Sequence, residues 1–202
     1  MILTNLTNYV KNVALVSGNG LMYTGSNNQA SQVTGLYPVT DCKGNVITTC
    51  YRGTYSSQSI FAPFSYTIAN LSSTTTQTSN SSANYYTTYF GLGSGTTPVT
   101  ETDIILENMI SGYSVVSGET KLTNTVTISE DKKTITRVAK VSIAVKNSNT
   151  ANLTISEVGL YQSMGTTNYT LLHREVLTEP IVIKTGEIAT IQLEFTFVNN
   201  IA

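Results

Sequence analysis

The chain has 202 residues and a net charge of −1, and only 11% of its residues are charged while 40% are hydrophobic. A chain of this length can bury roughly 70% of the surface that its unfolded form exposes, so it can build a core without metals or disulfides. The near-zero net charge gives no electrostatic reason to bind nucleic acid, which needs clustered Lys and Arg. No stretch approaches the roughly 18 uninterrupted apolar residues of a membrane span, so we expect no membrane partner.

The first 84 residues carry little charge and several breaks in their apolar pattern. Asn and Lys interrupt residues 1–11 before a continuous hydrophobic segment forms, which predicts no signal peptide. Residues 72–82 are a low-complexity Ser/Thr/Asn run without an apolar residue, which predicts a long polar surface loop or an arm that orders on a partner. We expect residues 1–84 to form a β-rich region, separate from residues 85–202 or part of the same domain.

Two cysteines flank a candidate hairpin turn. Gly44 and Asn45 suit a two-residue type II′ turn, which would pair Cys42 with Ile47. That register would leave the sulfurs of Cys42 and Cys50 offset and on opposite faces of the hairpin. A disulfide between them is therefore possible only if the loop is longer. Their spacing does not suit a zinc site, so we expect no metal and no cofactor.

The Gly-rich run 91–95 follows a predicted strand. It could be taken for a phosphate-binding loop, but no Lys-Ser/Thr pair and no long helix follow it. We expect Gly91, Gly93 and Gly95 to allow left-handed backbone where the strand ends. Thr100 to Asp103 resembles a helix capping box, so we predict a short helix there that ends at Gly112.

From residue 121 onward the pattern is strictly β. Apolar residues alternate with polar ones in residues 135–145, and the last strand repeats the pattern most cleanly. The alternation breaks at residues 156–157, which predicts a β-bulge eased by Gly159. Pro180 is expected to end the strand that contains residues 171–177. Such two-faced strands predict an all-β, antiparallel sandwich of Greek-key or jelly-roll type, whose core we expect to include Ile191, Leu193, Phe195 and Phe197.

The sequence of the C-terminal half predicts a buried ion pair. Glu157 lies among apolar neighbours, and an unpaired buried charge is very costly. It therefore needs a cation such as Arg174 or Arg137, or several backbone amides. We predict a structural contact between Glu157 and Arg174.

No motif points to catalysis. The only histidine, His173, lies within an apolar strand, where packing is its ordinary role. The glutamates of the C-terminal strands are spread over separate strands, and no spacing brings two of them to the separation that a glycosidase needs. We expect a protein without enzymatic activity.

Tyrosines are clustered beside the charge-free run. Tyr85, Tyr86 and Tyr89 are close in sequence, and uncharged, Tyr-rich surfaces suit protein interfaces and sugar contacts. They are our candidate interaction residues. The alternative is that they simply pack in the sandwich, and the absence of Trp removes the strongest stacking platform for a sugar.

The order of these motifs resembles structural accessory proteins of tailed-bacteriophage virions. The order is a Gly-rich turn with Thr-Thr-Pro, then Thr-Asp-x-x-Leu-Glu-Asn, then Ile-x-Glu-Val-Gly-Leu, an Arg-containing strand and Pro-Ile. The resemblance covers residues 85–198, and the matching positions are Gly91, Gly93, Gly95, Thr96, Thr97, Pro98, Asp103, Leu106, Glu107, Glu157, Val158, Gly159, Leu160, Arg174, Pro180 and Ile181.

The resemblance implies a β-sandwich module that builds or decorates a virion assembled in the host cytoplasm. It implies a capsid auxiliary or decoration protein, or a head–tail accessory protein, that forms homo-oligomers and docks on other capsid or tail proteins. None of the matched positions is a catalytic site in that family. The alternative is a receptor- or glycan-binding module of a tail tip, with a host-surface glycan as its ligand.

Overall fold

The computed structural model describes residues 3–18, 31–33, 36–48, 50–52, 68–71, 88–116, 121–131, 133–163 and 169–200. These residues form a mostly antiparallel β protein with one helix, which confirms the predicted class; the Greek-key or jelly-roll connection stays a prediction. The predicted arm at 72–82 lies outside the described residues. The elements are α1 (Thr4–Gly18), β1 (Ser31–Val33), β2 (Val39–Thr40), β3 (Val46–Ile47), β4 (Cys50–Arg52), β5 (Ile68–Leu71), β6 (Thr88–Gly93), β7 (Tyr113–Val115), β8 (Lys121–Ile128), β9 (Thr134–Asn147), β10 (Leu153–Ser163), β11 (Tyr169–Ile183) and β12 (Ile188–Asn200).

The chain divides into two compact units that are each built from separate stretches. Unit 1 contains residues 1–111 and 154–181, and unit 2 contains residues 112–153 and 182–202. The predicted boundary near residue 84 falls in the stretch 72–87, outside the described residues, and stays a prediction.

Unit 1 is organised by a four-stranded sheet in the order β11-β10-β6-β5. Strands β10 and β6 are antiparallel, whereas β5 and β6 run parallel. The strands bury a cluster that also includes Leu3 before the helix and Leu106 from a loop, so the core joins residues far apart in sequence. The cluster consists of Leu3, Leu106, Tyr161, Tyr169 and Leu171, with Cys42, Tyr89, Val99 and Met109 packed against it.

The predicted bulge at residues 156–157 is wrong. From Glu157 to Gln162, β10 pairs with β6 residue by residue. Strand β10 lies between β11 and β6, and it is buried from Ile155 to Gln162 on both faces. A strand covered on both faces has no polar side, so apolar residues occur at both parities without a bulge.

Pro180 does not end its strand, contrary to the prediction. Strand β11 continues through it to Ile183. Among the described strands β11 lies at the edge of its sheet, so one side of the strand needs no ladder donor from them, and Pro can be accommodated there.

The predicted hairpin register around Gly44 is also wrong. Strands β2 and β3 pair Val39 with Ile47, which leaves a five-residue loop at 41–45 in place of a two-residue turn. The Asp41 carboxylate is buried and accepts hydrogen bonds from the backbone N–H groups of Lys43 and Asn45, at 2.9 and 2.8 Å. These contacts stabilise the longer loop.

Unit 2 is a sheet centred on β9. Strand β12 pairs with one side of β9 along its whole length, while β7 and β8 pair with β9 as well. The alternation predicted for β12 is confirmed in part: Ile191 and Leu193 are buried and Phe195 is half-buried. The side chain of Phe197 lies outside the described residues.

Candidate functional site

The most highly charged buried region of unit 1 joins two strands to one loop. Glu157 on β10 and Arg174 on β11 meet residues 94–110, which we call the clamp loop. The side chains of Glu157 and Arg174 are 0% and 4% exposed. Arg174 Nε donates to Glu157 Oε2 at 2.8 Å, which confirms the predicted contact.

The Glu157 carboxylate accepts hydrogen bonds from the clamp loop and from Arg174. Its Oε1 accepts hydrogen bonds from the backbone N–H groups of Gly95 and Asn108, at 3.1 and 2.9 Å. Its Oε2 accepts from the backbone N–H of Glu107 at 3.2 Å, in addition to Arg174. These four donors satisfy a carboxylate, so its burial carries no unpaired charge.

Arg174 extends the network to the far side of the clamp loop. Its Nη1 lies 2.8 Å from Asp103 Oδ2, and its Nη2 donates to the carbonyl oxygen of Thr97 at 3.2 Å. Glu107 Oε2 lies 3.8 Å from the same Nη2. One guanidinium therefore contacts both ends of the loop through its planar fork of donors.

The clamp loop is also closed by its own backbone. Ser94 N donates to Asn108 O at 2.9 Å, and Ile110 N donates to Leu92 O at 2.8 Å. Glu107 Oε2 accepts from the backbone N–H groups of Thr96 and Thr97, both at 3.0 Å. Hydrogen bonds hold the loop at its base and at several internal points, so we expect it to be a rigid feature of the surface.

The helix predicted to begin at Thr100 does not form. The capping contact is present, since Thr100 N donates to Asp103 Oδ2 at 3.1 Å. The backbone then leaves the helical path because Tyr161 Oη accepts from Leu106 N at 2.9 Å. Glu157 takes the next two N–H groups, and these amides would otherwise bond to carbonyls four residues earlier.

Glycine is required at its positions in the cluster because there is no room for a Cβ atom, and not because the backbone conformation demands it. None of Gly91, Gly93 and Gly95 has a positive φ, so the expectation of left-handed backbone there is wrong. A Cβ at Gly93 would overlap the Glu157 carboxylate, and one at Gly95 would lie 2.6 Å from Glu157 Oε1. Gly91 and Gly159 lie against Tyr161, with a Cβ reaching its ring at 2.9 and 3.0 Å. Only Gly lets these strands approach the side chains so closely.

The remaining candidate residues lie elsewhere in unit 1. Tyr89 is half-buried and packs edge to face on Tyr169, with ring centroids 4.9 Å apart, so core packing accounts for much of its surface. Tyr85 and Tyr86 lie outside the described residues. His173 is buried on β11 with its Nε2 3.5 Å from Glu175 Oε2, and burial lowers its pKa below the ordinary value of 6.5.

A second polar set, which the sequence interpretation missed, attaches helix α1 to residues 37–40. Asn5 exchanges two hydrogen bonds with the backbone of Thr40, both at 2.9 Å. Asn12 does the same with Tyr37, at 2.8 and 2.9 Å. Asn8 donates to Pro38 O at 2.7 Å. Side chains at i, i+3 and i+7 share one face of a helix, and this spacing is the signal that could have predicted the contact.

The acid dependence of stability should report on the clamp loop. Burial alone would raise the pKa of Asp103, but hydrogen bonds from Thr100 and Arg174 outweigh it and hold that pKa below its ordinary 3.8. Because the folded value lies below the unfolded one, this stabilisation is complete above about pH 4 and is lost as the pH falls through the folded pKa. We expect the free energy of unfolding, measured with urea at about pH 6 and about pH 3, to fall less with acid in Asp103→Asn than in the wild type.

The matched control for this measurement is Glu130→Gln, which changes an exposed carboxylate at the β8–β9 turn. It should keep the acid dependence of the wild type. Equal acid dependence in Asp103→Asn and Glu130→Gln would contradict a role for the Asp103–Arg174 contact.

Cys42 is a free thiol. The structure therefore does not contain the Cys42–Cys50 disulfide, which the sequence had left as a possibility. Burial, followed by the charge of Asp41, raises the pKa of this thiol to about 12. A thiol with so little thiolate should react slowly with iodoacetamide. In a Cys50→Ser chain at about pH 8, we expect alkylation at least about a hundredfold slower than in the same chain unfolded in urea. Equal rates would show that the thiol of Cys42 is accessible and reactive in the folded chain.

Among the described residues, no helix is long and apolar enough to cross a membrane, and no group of His, Cys, Asp and Glu is arranged to hold a metal ion. The chain matches no protein-family model, no curated protein and no solved structure. Its function must therefore be argued from the cluster and the surface themselves.

Proposed function

We propose that this chain is a non-enzymatic structural subunit of a tailed-bacteriophage virion. It would act as a capsid auxiliary or decoration protein, or as a head–tail accessory protein, that self-associates and docks on other virion proteins. The observation that carries the proposal is that the motifs of the resemblance converge in space. Residues 91–107, 157 and 174 are far apart in sequence, yet they form one hydrogen-bonded cluster.

The chemistry of that cluster favours a structural role over a catalytic one. Both oxygens of Glu157 are occupied by donors, and the guanidinium of Arg174 bonds to two carboxylates and a carbonyl. A general base or nucleophile needs a lone pair that can reach a substrate. Glu157 could provide one only by releasing the clamp loop.

The surface supports assembly. No Asp, Glu, Lys or Arg occurs from Gly53 through Thr100, so self-repulsion along this stretch is weak. Large apolar side chains are more than half exposed on unit 2, including Val126 and Ile128. Exposed apolar surface of this kind is typical of protein interfaces.

The test is immunogold electron microscopy of intact particles of the phage that encodes the chain, with antibody against the purified protein. We expect label on the head or at the neck, and the protein among the components of denatured, purified virions. An antibody against a non-structural protein of the same phage is the matched control. Absence of both label and protein would overturn the proposal.

Label confined to the tail tip would favour the receptor- or glycan-binding alternative. Of the three candidate tyrosines, Tyr89 is the one within the described residues. It does not favour this alternative, since it is half-buried against Tyr169.

A further inference from the structure

Strand β12 forms one edge of the unit 2 sheet, and its outer side has no strand partner in the described part of the chain. Strand β9 is central, and among the described strands β12 pairs only with β9. The ladder between them is continuous over residues 188–200, without Pro or a bulge. A long, regular edge of this kind is a template with which another strand can pair.

Two backbone hydrogen bonds show which amides of β12 point outward. Asn147 N donates to Glu187 O at 3.0 Å, so odd-numbered residues of β9 bond toward β12. Ser129 N donates to Thr134 O at 2.9 Å, so even-numbered residues of β9 bond toward β8. In β12, odd-numbered residues therefore bond to β9, and the N–H and C=O groups of even-numbered residues point outward. The outward-pointing residues are Thr190, Gln192, Glu194, Thr196 and Val198.

The outer edge of β12 lacks the features that normally keep an edge strand from pairing. Soluble proteins protect long edges with charges, Pro, bulges or short length. Glu194 is the only charged residue of β12, and Lys140 Nζ lies 2.8 Å from its Oε2. Strand β8, on the other side of β9, is shorter and begins with Lys121. Of the two strands, β12 is therefore better suited to pairing with another chain.

Strand β12 is self-complementary when two copies are related by a twofold axis perpendicular to the sheet. Such an axis makes the strands antiparallel and keeps their apolar faces on the same side. An axis at Glu194 would place two carboxylates opposite each other, which is destabilising. An axis at Phe195 instead places Glu194 opposite Thr196 of the second copy.

The axis at Phe195 also covers apolar surface that the single chain leaves accessible. Phe195 of one copy lies opposite Phe195 of the other in a non-hydrogen-bonded pair, where side chains come closest. Phe195 is half-buried, whereas Leu193 is 2% exposed. An axis at Phe195 therefore buries more apolar surface than an axis at Leu193.

We propose that two copies of this chain pair through their β12 strands, antiparallel and centred on Phe195, to form one continuous sheet. This inference rests on the self-association in the proposed function. Residues 190–200 of the two copies overlap over about 37 Å, and their outward N–H and C=O groups bond to one another. Main-chain hydrogen bonds supply the affinity in this mode of recognition.

Pairing at the edge also agrees with the charge on the apolar face of the sheet. The register places Arg137 on the same face as Phe195, between Ile135 and Ala139, and Arg137 is exposed. A contact that stacked this face on another apolar surface would bury the guanidinium without a carboxylate, which is costly. Edge pairing covers neither face, so Arg137 keeps its contact with water.

The test compares the full-length wild type with Thr196→Glu and Thr196→Lys by light scattering after gel filtration, over a dilution series. We expect the wild type at twice the chain mass of 21.8 kDa when concentrated and at the mass of one chain when diluted. Because Thr196 lies opposite Glu194 of the second copy, glutamate should weaken the dimer and lysine should strengthen it. Their dissociation constants should differ at least about tenfold. Thr196 is exposed, so both variants should fold, which circular dichroism would verify.

The matched controls are Thr125→Glu and Thr125→Lys on β8. Thr125 and Thr196 are both exposed and both lie opposite Val138, on either side of β9. The controls make the same charge changes on the same face but away from the proposed contact. Both should keep the dissociation constant of the wild type.

Hydrogen exchange provides a second readout, because edge pairing protects a defined set of amides. The outward amides of Gln192, Glu194, Thr196 and Val198 should exchange at least about tenfold more slowly in concentrated than in diluted solution. A contact through a face of the sheet would not produce this alternation along β12.

A wild type that stays monomeric at the highest concentration, or that forms a trimer or larger assembly, would overturn the pairing. Equal dissociation constants for Thr196→Glu and Thr196→Lys would also overturn it. A monomeric chain that is nevertheless found in purified virions would leave the proposed function standing without this dimer. A dimer that is absent from virions would do the reverse.

Discussion

Replacement of Arg174 by methionine is expected to lower the free energy of unfolding by about 3–5 kcal/mol, because it leaves the Glu157 carboxylate buried without its cation. Methionine keeps most of the side-chain length and removes only the charge and the donors. For a chain of this size, the change corresponds to a fall in the thermal midpoint of roughly 10 °C. The midpoint would be measured by circular dichroism, and partial cleavage by a Glu-specific protease after the exposed Glu101 would report release of the clamp loop.

The matched control is Lys184→Met, which removes the cation of an exposed pair. Lys184 Nζ lies 3.9 Å from Glu187 Oε1, and both side chains are more than half exposed. Surface pairs of this kind contribute about 0–1 kcal/mol. If Arg174→Met and Lys184→Met have midpoints within about 2 °C of each other, the buried contact does not stabilise the fold in the way the geometry indicates.

Replacement of Asn5 by alanine is expected to lower the free energy of unfolding by about 2–4 kcal/mol. Asn5 is 6% exposed, and its side chain makes three hydrogen bonds to backbone groups: two to Thr40, and one to Leu171 O at 3.3 Å. The variant would leave these buried groups without partners, and unsatisfied buried groups cost more than the hydrogen bond itself contributes. Urea unfolding followed by circular dichroism measures the change.

Asn8→Ala is the control on the same helix, with the same gain in helix propensity. The Asn8 side chain donates a hydrogen bond to Pro38 O at the surface, where water can replace it, so we expect a change within about 0.5 kcal/mol. Equal destabilisation by Asn5→Ala and Asn8→Ala would show that the attachment of α1 to residues 37–40 is not specific to the buried amide.

Local sequence patterns were sufficient to predict features that follow from residue type and spacing alone. The alternation in β9 and β12 predicted strands that the structure contains, because side chains of a strand point alternately to opposite faces. Glu157 could be paired with Arg174 from sequence, since a carboxylate among apolar residues requires a cation or several amides.

Local patterns failed where a distant group took over a backbone donor. The capping box at Thr100 forms, yet no helix follows, because Tyr161 and Glu157 bind the N–H groups of residues 106–108 from about 50 positions further along the chain. The two-residue turn predicted at Gly44 is wrong for a different, local reason, since the nearby side chain of Asp41 supports a longer loop.

The sequence by itself determined the β class, the C-terminal strands and the need of Glu157 for a cation, because periodicity and the cost of a buried charge are local properties of residue types. The tertiary structure alone decided the path of the clamp loop and the attachment of α1 through its asparagines. It also decided that Gly93 and Gly95 have no room for a side chain, and that β8 and β12 pair only with β9 among the described strands. These features depend on which groups meet across long stretches of chain. The spacing of the asparagines marks a polar face of α1, but it does not specify which residues that face contacts.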